Sequence, residues 1–213
     1  MPQRIILTGA TGMVGEGVLL TLLAQPEVEA VLSISRRPCG HAHPKLHELL
    51  VPDFFDLAGV EEELRGYTAC LFCAGISSVG LKEEAYTRVT HDLTLHFART
   101  LLRYSPAATF CYVSGAGTGG RLMWAKVKRR TETDLLALPF RAVYLFRPAG
   151  MKPVKGQRHV RTVYRLFSWL IPLARLLHYG STLREVGLAM LHTAEHGAPK
   201  KVLEVKDINQ LAR

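Results

Sequence analysis

Thr8–Gly15 reads TGATGMVG and directly follows the apolar run Ile5–Leu7 near the start of the chain. Its three glycines have the spacing GxxGxxG, and apolar residues then recur at helical spacing up to Pro26. An apolar run, a glycine-rich turn and an amphipathic segment, in this order, predict a strand, a tight turn and a helix. The stretch therefore predicts the first βα unit of an α/β fold.

The glycine spacing is a variant of the dinucleotide-binding fingerprint, in which each glycine has its own role. Gly9 allows the turn out of the strand, Gly12 lets bare backbone approach a phosphate, and Gly15 lets the helix pack closely on the sheet. The N-terminal amides and the dipole of the helix then favour a bound anion. We expect a pyrophosphate site here, with a purely structural turn as the alternative. The predicted site residues are Gly9, Ala10, Thr11, Gly12, Met13 and Val14.

Strand and helix patterns alternate along the rest of the chain. The predicted strands are Val28–Ser35, His47–Val51, Thr68–Cys73, Ala108–Ser114, Ala142–Phe146 and Lys201–Val205. The predicted helices are Leu57–Leu64, Leu81–Tyr104, Leu122–Leu138 and Leu183–Glu195, with a terminal helical turn at Asp207–Arg213.

This alternation predicts an α/β fold: a doubly wound, mostly parallel sheet of the Rossmann type with a small C-terminal helical lobe. We expect a single domain over residues 1–213, with a dinucleotide-binding core in 1–150 and a lid or substrate segment in 151–213. In such sheets ligands bind beyond the carboxyl ends of the strands, so the functional residues should cluster there.

The composition agrees with one domain, since 48% of the 213 residues are hydrophobic, enough for a real core. The N-terminus enters a strand at once and has no secretory leader pattern, so we expect a cytoplasmic protein. The uncharged apolar run Leu166–Ala174 is much shorter than the ~20 residues that a transmembrane helix needs. We therefore expect no transmembrane segment.

The chain is basic, with a formal charge of +9, which suits nucleic acid, an anionic membrane or a phosphorylated ligand. Its densest basic cluster, in the stretch 126–130, lacks interleaved aromatic residues or a nucleic-acid motif. A solvated helix face is the favoured interpretation, and no specific nucleic-acid partner is expected. Peripheral contact with a membrane remains open.

The cysteines predict neither a redox pair nor a metal site. Cys70 and Cys73 lie within a predicted strand, where residues three apart point to opposite faces. Cys39 and three nearby histidines fall in a loop with proline and glycine, which a polar surface connection explains equally well. We expect reduced thiols and no bound metal.

The end of the second strand indicates which dinucleotide binds. An NAD-selective fold places Asp or Glu there to bind the ribose hydroxyls, whereas this chain has Ser35, Arg36 and Arg37. A guanidinium group can hold a 2′-phosphate with two hydrogen bonds. NADP is therefore favoured over NAD, with a merely basic surface as the alternative.

The glycine-rich turn and Arg36 are accompanied by the pair Asp53 and Phe54, the CAG of Cys73–Gly75 and the serine of YVSGAG. On these motifs, the chain resembles the short-chain dehydrogenase/reductase superfamily. More narrowly, it is similar to the atypical branch of NAD(P)-binding, epimerase/dehydratase-like proteins. The resemblance implies that Asp53 and Phe54 flank the adenine. It also implies that Cys73, Ala74 and Gly75 run along the adenine ribose and phosphates, and that Arg147, Pro148 and Met151 lie near the nicotinamide.

Catalysis in that superfamily uses Ser, Tyr and Lys, the last two spaced as YxxxK. By this resemblance Ser114 is the catalytic serine, and Lys128 is the lysine that also holds the nicotinamide ribose. Trp124 stands at the tyrosine position, and an indole N–H donates a hydrogen bond without titrating usefully.

Other groups would then have to supply the proton. Water, Tyr86 or Tyr164 are candidates, the two tyrosines by location alone. Thr90 falls near the position where many relatives carry a catalytic asparagine, which is a second departure from the family pattern.

Two functions follow as hypotheses, and a third, nucleic-acid binding through the basic surface, rests on charge alone. The first is an NADP(H)-dependent oxidoreductase acting on a small carbonyl or related substrate. The second, motivated by Trp124, is a non-catalytic NADP(H)-binding protein that senses redox state or regulates a partner. The apolar segment from Val160 to Tyr179 is interpreted as a substrate-covering lid, a dimer surface or a membrane-surface helix.

Overall fold

Seven parallel strands form the central sheet of the computed structural model, which describes residues 2–160 and 180–213. The strands are β1 (Gln3–Thr8), β2 (Val28–Ser35), β3 (Leu46–Leu50), β4 (Ala69–Phe72), β5 (Thr109–Val113), β6 (Ala142–Arg147) and β9 (Val202–Glu204). Their order is β3-β2-β1-β4-β5-β6-β9, and every pairing in this sheet is parallel. The predicted doubly wound fold is confirmed.

Helices cover both faces of this sheet. They are α1 (Met13–Leu23), α2 (Glu83–Thr87), α3 (Leu93–Tyr104), α4 (Met123–Leu136), α5 (Leu183–His196) and α6 (Val205–Leu211). The predicted helix over Leu57–Leu64 is wrong: only a 3₁₀ turn forms, at Glu61–Leu64, because Gly59 has φ +81°, which a right-handed helix does not accommodate. The predicted helix from Leu81 to Tyr104 is interrupted by a π turn, Arg88–Asp92, between α2 and α3.

The two faces of the sheet bury different apolar sets, as the period of two along a strand requires. One set packs against α1 and α5 and includes Ile5, Leu7, Val31, Leu71 and Cys111. The other packs against α3 and includes Ile6, Ile34, Cys70, Phe72 and Phe110. Cys73 packs against the first set, so the prediction that Cys70 and Cys73 lie on opposite faces is confirmed.

Residues 180–213 belong to the same packed unit as the N-terminal part. Strand β9 pairs with β6, and α5 crosses α1 closely. A Cβ atom at Gly187 of α5 would lie 2.9 Å from the Cβ of Thr21 on α1, so only glycine permits this approach. These residues complete the core, although they lie within the predicted lid segment.

A second, two-stranded sheet forms after β6. Strand β7 (Gly150–Lys152) pairs in parallel with β8 (Gly180–Thr182), a pairing that the sequence patterns did not predict. Of the apolar segment interpreted as a lid, only Val160 is among the described residues. No helix in the described ranges is long and apolar enough to span a membrane.

Candidate functional site

The glycine-rich turn lies at the carboxyl end of β1, in contact with the loop after β4. Gly9 has φ +78°, and a Cβ atom there would lie 2.7 Å from the backbone nitrogen of Ala74. That nitrogen also donates a hydrogen bond to the hydroxyl of Thr8, at 3.1 Å. Only glycine therefore fits at position 9, because both its backbone angle and its neighbours exclude a side chain.

The other two glycines differ in what surrounds them. A Cβ atom at Gly15 would overlap the carbonyl group of Gly9, so Gly15 lets the start of α1 lie directly against the turn that ends β1. A Cβ atom at Gly12 would meet only ordinary contacts, the nearest at 3.5 Å. The space in front of Gly12 is open, and no side chain caps the N-terminus of α1. This is the arrangement that an approaching phosphate requires.

Two adjoining cavities extend from this turn. One, of about 220 Å³, is lined by the turn and by Arg36 and Arg37. The other, of about 280 Å³, is lined by Asp53, Phe55 and Arg88 among others. Both are bordered by Arg36, Phe54, Ala74 and Gly75. The fold thus brings four separately predicted groups of site residues together along one cleft.

The arginines at the end of β2 face this cleft without a carboxylate partner. Arg36 and Arg37 are exposed, and neither forms an ion pair with any residue in the described ranges. Ser35 donates its hydroxyl proton to the carbonyl of Arg37 at 2.6 Å, which fixes the start of the loop. Two guanidinium groups are therefore available to an anion.

Arg88 is a cleft residue that the sequence patterns did not identify. It lies on the π turn, and its guanidinium carbon is 4.8 Å from the centre of the Phe55 ring. This distance is typical of a cation–π contact. No local pattern distinguishes Arg88 from other arginines on a helix, since its position in the cleft depends on how the π turn packs.

Ser114 is nearly buried directly after β5, and its hydroxyl proton is already engaged. Thr118 donates to the carbonyl of Gly115 at 2.7 Å, which uses the single proton of that hydroxyl. The 2.9 Å hydrogen bond between Ser114 and Thr118 must then be donated by Ser114. Ser114 consequently presents only lone pairs to a further partner in this arrangement.

Lys128 lies on α4 and contacts the end of β5, directly before Ser114. Its Nζ donates to the carbonyl of Val113 at 3.2 Å and to the hydroxyl of Tyr112 at 3.5 Å. Burial lowers the pKa of Lys128 to about 8, against the opposing effect of the Glu132 carboxylate. Lys128 is therefore an amine with a pKa of about 8, bonded to the carbonyl of the residue that precedes the predicted catalytic serine.

Trp124 lies one helical turn before Lys128 and is half-buried. Its indole covers the loop after Ser114: a Cβ atom at Gly117 would be 3.5 Å from the ring. The tryptophan therefore forms a wall beside Ser114. Tyr86 is buried on α2, with a pKa that burial raises, and Tyr164 is outside the described residues. Thr90 is buried on the π turn.

The residues predicted near the nicotinamide are differently placed. Arg147 binds Glu132 with two hydrogen bonds and Glu204 with one, at 3.0 Å. Its guanidinium is thus engaged within the protein. Pro148 accepts a backbone hydrogen bond from Ala116 at 2.9 Å, and Met151 lies in β7. Their contact with a cofactor stays a prediction.

The loop with Cys39 and the histidines is held by hydrogen bonds within the protein. The backbone nitrogen of Cys39 donates to Glu48 at 2.7 Å, and His41 bonds to Glu16 at 2.8 Å. Among the residues that the structure describes, no group of three or more His, Cys, Asp or Glu side chains could hold a metal ion.

A comparison with protein families and curated proteins identifies relatives of this chain. A model described as the NAD dependent epimerase/dehydratase family matches residues 5–144. Protein FMP52, mitochondrial, of Chaetomium globosum is 28% identical over 232 residues, covering 100% of this chain and 98% of the relative. Protein fmp52, mitochondrial, of Aspergillus clavatus is 32% identical over 167 residues, covering 73% and 68%.

Solved structures share the fold at much lower identity. The Bordetella bronchiseptica enzyme WbmF in complex with NAD+ superposes with a TM-score of 0.69 at 15% identity, over 99% of this chain and 76% of that one. UDP-glucuronic acid 4-epimerase from Bacillus cereus in complex with NAD gives 0.70 at 12%, over 94% and 77%. At such identities the likeness shows the fold alone.

The expectation of a cytoplasmic protein is wrong, because the relatives that match over most of this chain are named mitochondrial. That expectation depended on the lack of a secretory leader pattern. Such a pattern does not distinguish the cytosol from an organelle whose targeting signals differ from a secretory leader.

Proposed function

The chain belongs to the NAD-dependent epimerase/dehydratase family, an atypical branch of the short-chain dehydrogenases/reductases, and from this membership we propose that it is an NADP(H)-dependent oxidoreductase. Its substrate would be a small carbonyl compound or the corresponding alcohol. The fungal relatives also support a mitochondrial location, which fractionation of cells that express a tagged chain would test.

One observation carries the proposal: the loop after β2 offers two exposed arginines, and no acid, to the cavity that begins at the glycine-rich turn. A carboxylate there would repel a 2′-phosphate, whereas a guanidinium group binds it with charge-assisted hydrogen bonds. The Bordetella enzyme and the Bacillus epimerase were solved with NAD. The preference of this chain for NADP(H) is therefore proposed from its own arginines and not from these structures.

The residues of the cleft suit each part of this cofactor. The turn at Gly12 and the N-terminus of α1 would hold the pyrophosphate, Arg36 and Arg37 the 2′-phosphate, and the cavity at Asp53 and Phe54 the adenine. When bound, the nicotinamide supplies or accepts a hydride.

The chain's own residues handle the proton. The Lys128 ammonium has three N–H groups, two of which are donated to Val113 and Tyr112, which leaves one for a substrate oxygen. Trp124 cannot exchange a proton, so Lys128 takes the role of the acid near pH 8. Ser114 accepts a hydrogen bond from a substrate hydroxyl. Alternatively, it donates to a substrate carbonyl once its own hydrogen bond to Thr118 is broken.

The second candidate function is a non-catalytic NADP(H)-binding protein. It is favoured by Trp124, which removes the family's titrating tyrosine while the phosphate turn is retained. General acid catalysis contributes roughly 10²–10⁴ in rate, so losing it would leave binding intact and turnover weak.

Calorimetric titration with NADPH and with NADH tests the shared premise. We expect NADPH to bind about tenfold more tightly than NADH, the effect of one charge-assisted hydrogen bond, and binding of neither would refute both functions. Oxidation of NADPH against a panel of carbonyl compounds then separates them, in the wild type and in Trp124→Tyr. Turnover by the wild type supports the enzyme, whereas turnover only by the variant supports the binding protein.

A further inference from the structure

Glu16 is a completely buried acid in the first turn of α1, directly after the last glycine of the phosphate-binding turn. Neither the proposed chemistry nor the cofactor contacts use it. A buried carboxylate is stable only where hydrogen-bond donors or cations compensate its charge. Its partners therefore indicate what it holds in place.

Three hydrogen bonds converge on the Glu16 carboxylate. The backbone nitrogens of Arg158 and His159 each donate to it at 2.7 Å, and Nε2 of His41 lies 2.8 Å from Oε1. Burial acts to raise the pKa of Glu16, but these hydrogen bonds outweigh it and leave the pKa below the ordinary value. Glu16 is thus ionised and binds two separate segments to α1.

The first segment is the arginine loop, which we define as residues 36–41 after β2. Its middle is attached to β3, through the hydrogen bond from Cys39 to Glu48. Among the described residues, its only hydrogen bond to α1 is the one between His41 and Glu16. Glu16 therefore links the loop that carries Arg36 to the helix whose N-terminus faces the phosphates.

The second segment is the strap, defined as residues 154–159, which follows β7. Arg158 donates a side-chain hydrogen bond to the carbonyl of Gly40 in the arginine loop. Gln157 accepts from the nitrogen of Val154 at 2.6 Å and donates to the carbonyl of Met13 at 2.7 Å. The strap thus contacts both the arginine loop and the start of α1.

We propose that Glu16 is a positioning residue for cofactor selectivity: its carboxylate fixes the arginine loop beside the phosphate-binding turn, so that Arg36 and Arg37 meet a 2′-phosphate. The proposal rests on the NADP(H) preference proposed above. Glutamine at position 16 would turn an N–H₂ donor toward one of the three donors. At least one of these hydrogen bonds would then be lost, and the others, including the one from His41 that holds the arginine loop, would be weaker to a neutral amide than to a carboxylate.

The predicted effect is on selectivity and not on dinucleotide binding in general. The 2′-phosphate is absent from NADH, whose pyrophosphate is held by the turn at Gly12 and needs no contact from the arginine loop. Loss of the link should therefore weaken the binding of NADPH while leaving that of NADH nearly unchanged. A residue that only stabilises the fold would affect both dinucleotides alike.

The experiment is a calorimetric measurement of Kd for NADPH and NADH with four proteins: the wild type, Glu16→Gln, His41→Ala and Gln25→Ala. We expect Glu16→Gln and His41→Ala to reduce the ratio of the two affinities about fivefold, which corresponds to the free energy of one hydrogen bond. Gln25→Ala is the matched control, since it removes a side-chain hydrogen bond to the carbonyl of Thr21, at 3.0 Å, at the far end of α1 from the strap and the arginine loop. It should keep the wild-type ratio.

The outcomes separate this role from the proposed function. If the wild type prefers NADPH and both Glu16→Gln and His41→Ala keep that preference, the positioning role is refuted. A parallel loss of both affinities would also refute it, because that marks a general structural effect. If the wild type binds no dinucleotide or prefers NADH, the proposed NADP(H) function itself fails. Should Glu16→Gln not fold, His41→Ala decides, since it leaves the two backbone partners of Glu16 in place.

Discussion

Replacing Lys128 by methionine should make the protein more stable and less active. Burial lowers the pKa of Lys128 from 10.5 to about 8, so the folded state binds this proton less tightly than the unfolded chain does. At about 1.4 kcal/mol per pKa unit, the ammonium form destabilises the folded state by about 3 kcal/mol at neutral pH. Methionine removes this penalty but also the hydrogen bonds to Val113 and Tyr112, worth about 1 kcal/mol each. We expect a net gain of about 1 kcal/mol.

The sign of the pH dependence makes this prediction specific. Between pH 8 and 10.5 the unfolded chain retains a proton that folded Lys128 has lost, so wild-type stability rises with pH across this window. The advantage of Lys128→Met should therefore be complete below pH 8 and shrink as the pH rises to 10.5. At the upper end only the lost hydrogen bonds remain, and the wild type becomes the more stable protein.

Urea unfolding of the wild type and Lys128→Met at pH 7 and pH 10 measures both effects, with NADPH oxidation as the activity assay. Lys126→Met is the matched control, because Lys126 is exposed on the same helix and its replacement should change stability by less than about 0.5 kcal/mol. If Lys128→Met is less stable than the wild type at pH 7, or if the difference between them does not vary with pH, the electrostatic argument is refuted.

Three further predictions concern the cleft. Arg36→Asp should weaken NADPH binding about 10- to 100-fold, because a charge-assisted hydrogen bond to the 2′-phosphate is lost. If calorimetry finds no change in affinity, the 2′-phosphate binds elsewhere. Thr118→Val should lower the KM of a carbonyl substrate a few-fold, since it releases the proton of Ser114, while the exposed control Thr133→Val should not. The pKa of Glu16 is lower in the folded protein than the value of 4.5 that we take for the unfolded chain, so its ionised carboxylate stabilises the fold above pH 4.5. This stabilisation is lost as the pH falls through the lowered pKa. Thermal unfolding should therefore show the stability gap between wild type and Glu16→Gln closing on acidification, and a constant gap would contradict this.

Much of the fold followed from local patterns. The bounds of β2 match the predicted strand, and α4 lies within the predicted helix, because apolar periodicity and flanking turn residues act within a few residues. The 3₁₀ turn after Gly59 and the π turn at Arg88 were missed. Both depend on backbone angles and packing that a hydrophobic pattern does not encode.

The candidate site was predicted less completely than the fold. The spacing of the glycines and the arginines after β2 indicated the candidate phosphate-binding groups, because these motifs carry their chemistry in adjacent residues. Arg88, by contrast, enters the cleft through a cation–π contact with Phe55, which is far away in the chain. The direction of the Ser114 hydrogen bond also required the position of Thr118, which no spacing rule supplies.

By itself the sequence determined the order along the chain of the strands in the main sheet, the glycine-rich turn after β1 and the absence of an acid where an NAD-selective protein has one. These properties depend on neighbours along the chain. Only the tertiary structure decided that Glu16 joins α1 to backbone nitrogens 142 and 143 positions later, and that Lys128 exchanges its proton near pH 8. The physical reason is that burial and hydrogen bonding between distant segments set the charge of a side chain, and only the folded chain brings those segments together.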